Sequence, residues 1–154
     1  MAQDPSQNQR ERVSSEARFY AFRLTPGEDL VQGVRRFVAA HNLRAVAVLT
    51  CVGSLTRATL RFANADTWVE ISGPFEILSL VGTVDEHGEH LHIGLADSEG
   101  RCIGGHFGLG SSVYTTAEIV LAELAGFEFR RTPCSLSGYD ELTVEPRGIR
   151  RREE

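Results

Sequence analysis

Residues 82–110 read GTVDEHGEHLHIGLADSEGRCIGGHFGLG, and the reading of the whole chain turns on them. His90-Leu91-His92-Ile93-Gly94-Leu95 contains the alternation of a strand with one buried face. A strand sends residues i and i+2 to the same side. His90 and His92 then project together, while Leu91, Ile93 and Leu95 point the other way. Asp97-Ser98-Glu99-Gly100 is a turn, and the run behind it carries His106 after Gly104 and Gly105. An antiparallel return would set His106 beside the first pair. Three neutral imidazoles on one patch are a facial ligand set for zinc or a similar divalent ion, with positions left open. The same spacing also fits two solvent-facing strand histidines and a loop histidine. Gly104–Gly110 lacks the Lys-Ser/Thr that would follow a phosphate loop, so its glycines read as close backbone approach beside His106.

The segments around this hairpin read mostly as strands. Arg18–Leu24 alternates, and Thr25-Pro26-Gly27-Glu28-Asp29 turns it into a helix, where acids suit the N-terminus. Leu30, Val31, Val34, Phe37 and Val38 form one helical stripe, and His41 sits at its C-terminus in a local, structural role. Arg44–Val52 is nearly all apolar, as expected of a strand buried on both faces, until Gly53-Ser54 breaks it. Leu55–Phe62, Thr67–Ser72 and Phe75–Val84 read as further strands, with turns at Asn64-Ala65-Asp66 and Gly73-Pro74. His87 lies at a hairpin tip and reads as solvated. Ser111–Ala125 mixes helix-favouring and strand-favouring residues, and periodicity alone leaves it open. Phe127–Arg131 and Tyr139–Val144 close the chain as strands around a loop at Pro133–Gly138. The fold class is α+β: a compact domain with a central antiparallel or mixed β-sheet flanked by a few helices.

Composition sets the bounds. The chain of 154 residues is long enough for one domain with a real core. Residues 1–15 are polar and without periodicity, and read as a disordered tail; 16–146 is the folded domain; 147–154 is a charged tail. No apolar run approaches the ~18 residues needed to cross a bilayer, and the first residues lack a secretory signal, so the expectation is a cytoplasmic protein without membrane contact. Three widely spaced cysteines, Cys51, Cys102 and Cys134, suggest neither a disulfide framework nor a thiolate zinc site. The net charge is −5, but residues 16–146 hold seventeen acids against ten arginines. A domain this acidic repels a phosphate backbone, which argues against nucleic acid as a partner of the core.

Taken together, the motifs resemble those of the plants and prokaryotes conserved domain, found behind an AT-hook in plant DNA-binding proteins and standing alone in prokaryotes. The matches span Arg18 to Val144. They include Gly27-Glu28-Asp29, Gly53-Ser54-Leu55, Phe75-Glu76-Ile77-Leu78-Ser79-Leu80, His90-Leu91-His92, Gly104-Gly105-His106 and Val113-Tyr114-Thr115-Thr116-Ala117-Glu118. The resemblance implies a homotrimer, a strand rather than a helix from Ala117 onward, and His90, His92 and His106 as metal-site residues. It also implies a fold similar to that of zinc-dependent acetolactate decarboxylase. No Arg-Gly-Arg-Pro hook is present, and Pro74 stands where the plant pattern has arginine, so plant-type DNA and partner contacts do not carry over.

Three functions follow as expectations. The first is a homotrimeric module with a three-histidine zinc or other divalent site, binding a small-molecule ligand or protein partner. The second is a zinc-dependent hydrolase or lyase acting on a small carbonyl compound. Glu118 and Glu76 are its candidate catalytic carboxylates, because each interrupts an apolar run where burial would be costly. The third is a DNA-binding protein.

Overall fold

The computed structural model describes residues 14–148. The two expected tails lie almost wholly outside the described residues. In chain order the elements are β1 (Ala17–Leu24), α1 (Leu30–Ala40), β2 (Val46–Arg61), β3 (Val69–Asp85), β4 (Gly88–Ala96), β5 (Cys102–Leu124), β6 (Phe127–Pro133) and β7 (Asp140–Pro146).

Every pairing between the described strands is antiparallel. The main sheet runs β1-β5-β2-β3-β4, and β4 pairs back onto β5. Strands β5, β2, β3 and β4 therefore form a closed ring of neighbours, with β1 added along the far half of β5. Closing a sheet on itself removes bare strand edges. β6 and β7 make a separate two-stranded ribbon.

Asp29 ties the helix to this ring. Its Oδ1 accepts a hydrogen bond from the Gln32 amide at 2.8 Å, capping the helix start. Its Oδ2 accepts from the amides of Gly110 and Ser111 at 2.6 and 3.0 Å, so one carboxylate fixes α1 against β5. Leu30, Val31, Val34 and Val38 are buried from this helix, against Leu55, Leu60, Leu91 and Ile119 of the strands. His41 caps the other end. Its ring stacks on Phe37, and its Nδ1 lies 2.9 Å from the Phe37 carbonyl oxygen.

Three sequence expectations need correction. The few helices are one helix, α1, among the described residues; of the two sheet types expected, the antiparallel one is found. Ser111–Ala125, which periodicity leaves open, is strand almost to its end, as the resemblance implies from Ala117 onward: Ala117, Ile119 and Leu121 are buried, Glu118 is exposed, and β1 and β2 bond to it from either side. Gly53-Ser54 and Gly73-Pro74 do not end strands, because β2 and β3 run through them with shifts of register. The apolar run 44–52 is buried on one face only, with Leu49 51% and Val52 57% exposed.

Two glycines are fixed by close approach. Gly53 has φ +151° and Gly82 has φ +141°; a Cβ at either would lie on the carbonyl oxygen across the ladder, of Thr116 and of His90 respectively. Gly53→Ala and Gly82→Ala should each lower stability by at least ~2 kcal/mol in urea denaturation. Gly148→Ala, where nothing lies within 4 Å of an added Cβ, should change little.

Candidate metal centre

The ring closes where β4 meets β5, and that rung pairs His92 with His106. Directly paired residues on one face hold their Cβ atoms ~5 Å apart, within reach of two imidazoles. His90 stands two residues before His92 on the same face, while Leu91 and Ile93 are buried beneath. The three rings converge with centroids 4.9–5.3 Å apart. One nitrogen from each lies within 4.8 Å of the others. The Nε2 atoms of His90 and His92 are 3.2 Å apart. Two nitrogens each ~2.1 Å from one divalent ion are separated by ~3.0–3.4 Å at octahedral to tetrahedral angles, so the donor set fits such an ion.

The electrostatics favour neutral, ligand-ready rings at His106 and His90. Burial pushes the His106 imidazolium down from 6.5 to about 4, helped by the charges of His90, Arg61 and His92. His90 is lowered too, first by burial and then by His92 and Arg131, with Glu141 acting in the opposite sense. Trp68 packs edge-on against His106 at 5.3 Å and carries the Arg61 guanidinium 5.9 Å from its ring centre. Gly108 makes room for it, because a Cβ there would press into the indole.

A cavity of about 910 Å³ opens beside the histidines, lined in part by Arg61, His90, His106, Arg131, Tyr139 and Glu141. The β6–β7 ribbon supplies Arg131, Asp140 and Glu141, and the loop before β7 supplies Tyr139. Sequence reasoning passed over these residues, since nothing local shows that the ribbon returns over His90. His87, expected to be solvated, also lines the cavity, although its side chain is 54% exposed.

The two candidate carboxylates are not brought to this cluster. Glu118 sits on β5 twelve residues from His106, roughly 40 Å of extended strand, and is exposed. Glu76 is exposed on β3 opposite Ala96, four residues along β4 from His92. Period two explains both: each falls on the outward phase of its strand. The carboxylate that is buried in β5 is Glu123, held by Arg147 at 3.0 Å and facing the Tyr20 hydroxyl and the Arg44 amide.

A family model described as the Plants and Prokaryotes Conserved (PCC) domain matches residues 11–125. The bifunctional protein GlmU of Synechococcus sp. (strain JA-3-3Ab) is 46% identical over 128 residues, 83% of this chain and 21% of that protein. The chain thus spans about a fifth of the length of the curated relatives it matches. Among solved structures, a hypothetical protein from Salmonella cholerae-suis is 44% identical, with a TM-score of 0.86 over 88% of this chain and 98% of that one. A metal-containing protein from Archaeoglobus fulgidus shares the fold at a TM-score of 0.76, with 23% identity, over 86% of this chain and 99% of that one.

A histidine that binds its proton less tightly folded than unfolded makes unfolding take up protons below its unfolded value. Ion-free protein should therefore lose stability as pH falls from about 6.5 toward about 4, the window of the His106 shift. Urea midpoints measured across that range should decline, and His106→Gln should flatten the decline.

Proposed function

The chain belongs to the Plants and Prokaryotes Conserved (PCC) domain family, and from that premise we propose that it is a metal-binding module. His90, His92 and His106 hold one zinc or similar divalent ion and present it to a small molecule in the adjoining cavity. The observation that carries this reading is the convergence of three imidazole nitrogens within 4.8 Å at a single strand pairing. The description of the Archaeoglobus fulgidus protein of the same fold as metal-containing supports it. A bound divalent ion supplies Lewis acidity and a water that ionises near neutral pH. The chain's own contributions are three imidazole donors, the Trp68 wall beside His106, and a cavity with fixed charges.

The same reading takes the protein as a homotrimer. Leu49, Val52, Leu78, Val81 and Tyr114 are each at least half exposed. Continuing the β2–β3 register places Leu49 beside Val81 and Val52 beside Leu78, and Val81 pairs with His92. A second copy over this strip would bury the other face of β2, as its apolar sequence demands. A soluble, cytoplasmic setting suits the absence, among the described residues, of any helix long and apolar enough to cross a membrane.

A zinc-dependent hydrolase or lyase is the second reading, favoured by the size of the cavity and by Glu141 and Tyr139 in its wall. DNA binding is the weaker one, because seventeen acids against ten arginines in residues 16–146 oppose a phosphate backbone.

Protein purified without an affinity tag should carry close to one divalent ion per chain by elemental analysis. His92→Ala should weaken affinity by at least ~100-fold and emerge almost ion-free. An ion-free wild type that takes up none when offered zinc would end the metal reading. Sedimentation should give three times the chain mass, and Val52→Glu should shift the species toward the monomer.

A further inference from the structure

The family match ends at residue 125, yet the cavity beside the histidines is walled by the ribbon that follows, β6–β7. That ribbon brings one guanidinium into a defined place. The Arg131 side chain is 18% exposed, and its Nη2 donates to Thr83 Oγ1 at 2.7 Å. Thr83 is the register partner of His90, so this bond anchors the ribbon to the rung that carries the first histidine. Behind it lies Asp85, whose side chain is fully buried. Asp85 Oδ1 accepts from the His87 amide at 2.8 Å, while Oδ2 sits 3.4 Å from Arg131 Nε without an aligned donor. A buried carboxylate of this kind holds a cation in place by charge.

A second guanidinium, that of Arg61, lines the same cavity. Arg61 is the register partner of His106, lies over Trp68, and donates to the Ala65 carbonyl at 3.3 Å. Among the described residues no carboxylate lies within ion-pair distance of it. Two planar donor groups in one cavity, one beside the rung of His106 and one beside that of His90, match an oxyanion. The remaining charges of the cavity set its valence. Glu89 is taken by Arg35, bonded through Arg35 Nη2 at 2.7 Å, whereas Asp140 and Glu141 are exposed and face the space from the ribbon. Two free carboxylates oppose a dianion, so they weigh against phosphate and toward a singly charged group.

We propose that the β6–β7 ribbon makes this cavity a site for a small monocarboxylate, its carboxylate bound between Arg61 and Arg131 beside the three histidines. The proposal rests on the reading of the same cavity as the ligand side of the metal centre. Asp85 and Thr83 are positioning residues, acting through Arg131.

The test is an NMR titration of the full-length protein with lactate, with 1,2-propanediol as its uncharged analogue, and with inorganic phosphate, the ion content of each sample being measured alongside. Lactate should bind in the millimolar range, more tightly than phosphate, and propanediol should not bind. Arg61→Met and Arg131→Lys should each weaken lactate at least tenfold while ion content stays at the wild-type level. Arg131→Lys keeps the charge facing Asp85, and among the described residues Arg61 has no carboxylate partner to strand, so both variants should fold. Equal lactate affinity in wild type and variants, preference for phosphate, or binding of propanediol as tight as that of lactate would overturn the proposal. A sample that holds its ion but ignores lactate refutes the carboxylate site and leaves the metal reading standing. A sample that binds lactate through both arginines without taking up any ion does the reverse.

Discussion

One rung of backbone pairing carries the architecture and the site together. Where β4 pairs with β5, the ring of strands closes, and the residues opposed there are His92 and His106. The register that buries Leu91, Ile93 and Leu95 beneath the sheet sends His90 and His92 outward. A slip of one residue would turn the histidines inward and leave three aliphatic side chains in water. The geometry of the histidine cluster is thus enforced by the hydrophobic core, since His90 and His92 share a strand with residues that build it. Gly82 guards the same place, because only glycine lets β3 approach the His90 carbonyl.

β5 is the strand on which the rest depends. Its first part bonds to β4 and β2, and its last part to β1 and β2. At Gly110-Ser111 it receives Asp29, which starts the helix. One 23-residue strand therefore connects the histidine cluster, the helix cap and the buried Glu123 network. A mutation at one end of β5 has a covalent and hydrogen-bonded route to the other. The three histidines, on adjacent strands of a closed ring, are held more rigidly than donors on loops.

Much of this was legible in the sequence. The alternation at 90–95 gave the strand, its phase and the two histidines, and the turn at 97–100 gave the return that adds His106. The helix stripe and both its ends were readable from Asp29, Leu30–Val38 and His41. What was not legible depended on long-range partners. Ser111–Ala125 has mixed propensity, and the neighbours on both sides decided for strand. Gly53 and Gly73-Pro74 look like breaks, but a sheet bonded on either side carries the chain through them. Glu118 and Glu76 interrupt apolar runs, where burying a carboxylate is costly. The rule applies instead to Glu123 and Asp85, because facing direction depends on register and bulges. Arg131, Tyr139 and Glu141 reach the cavity only because the last ribbon folds back toward His90, a contact with no local signature.

The central claim is that the closing rung of the sheet is a metal centre. Anomalous diffraction at the zinc edge, from crystals grown with zinc and then washed, tests it most directly. The account predicts one strong peak per chain, bonded to nitrogens of His90, His92 and His106. A peak elsewhere on the surface with these three rings bare, or no peak at all, would contradict it.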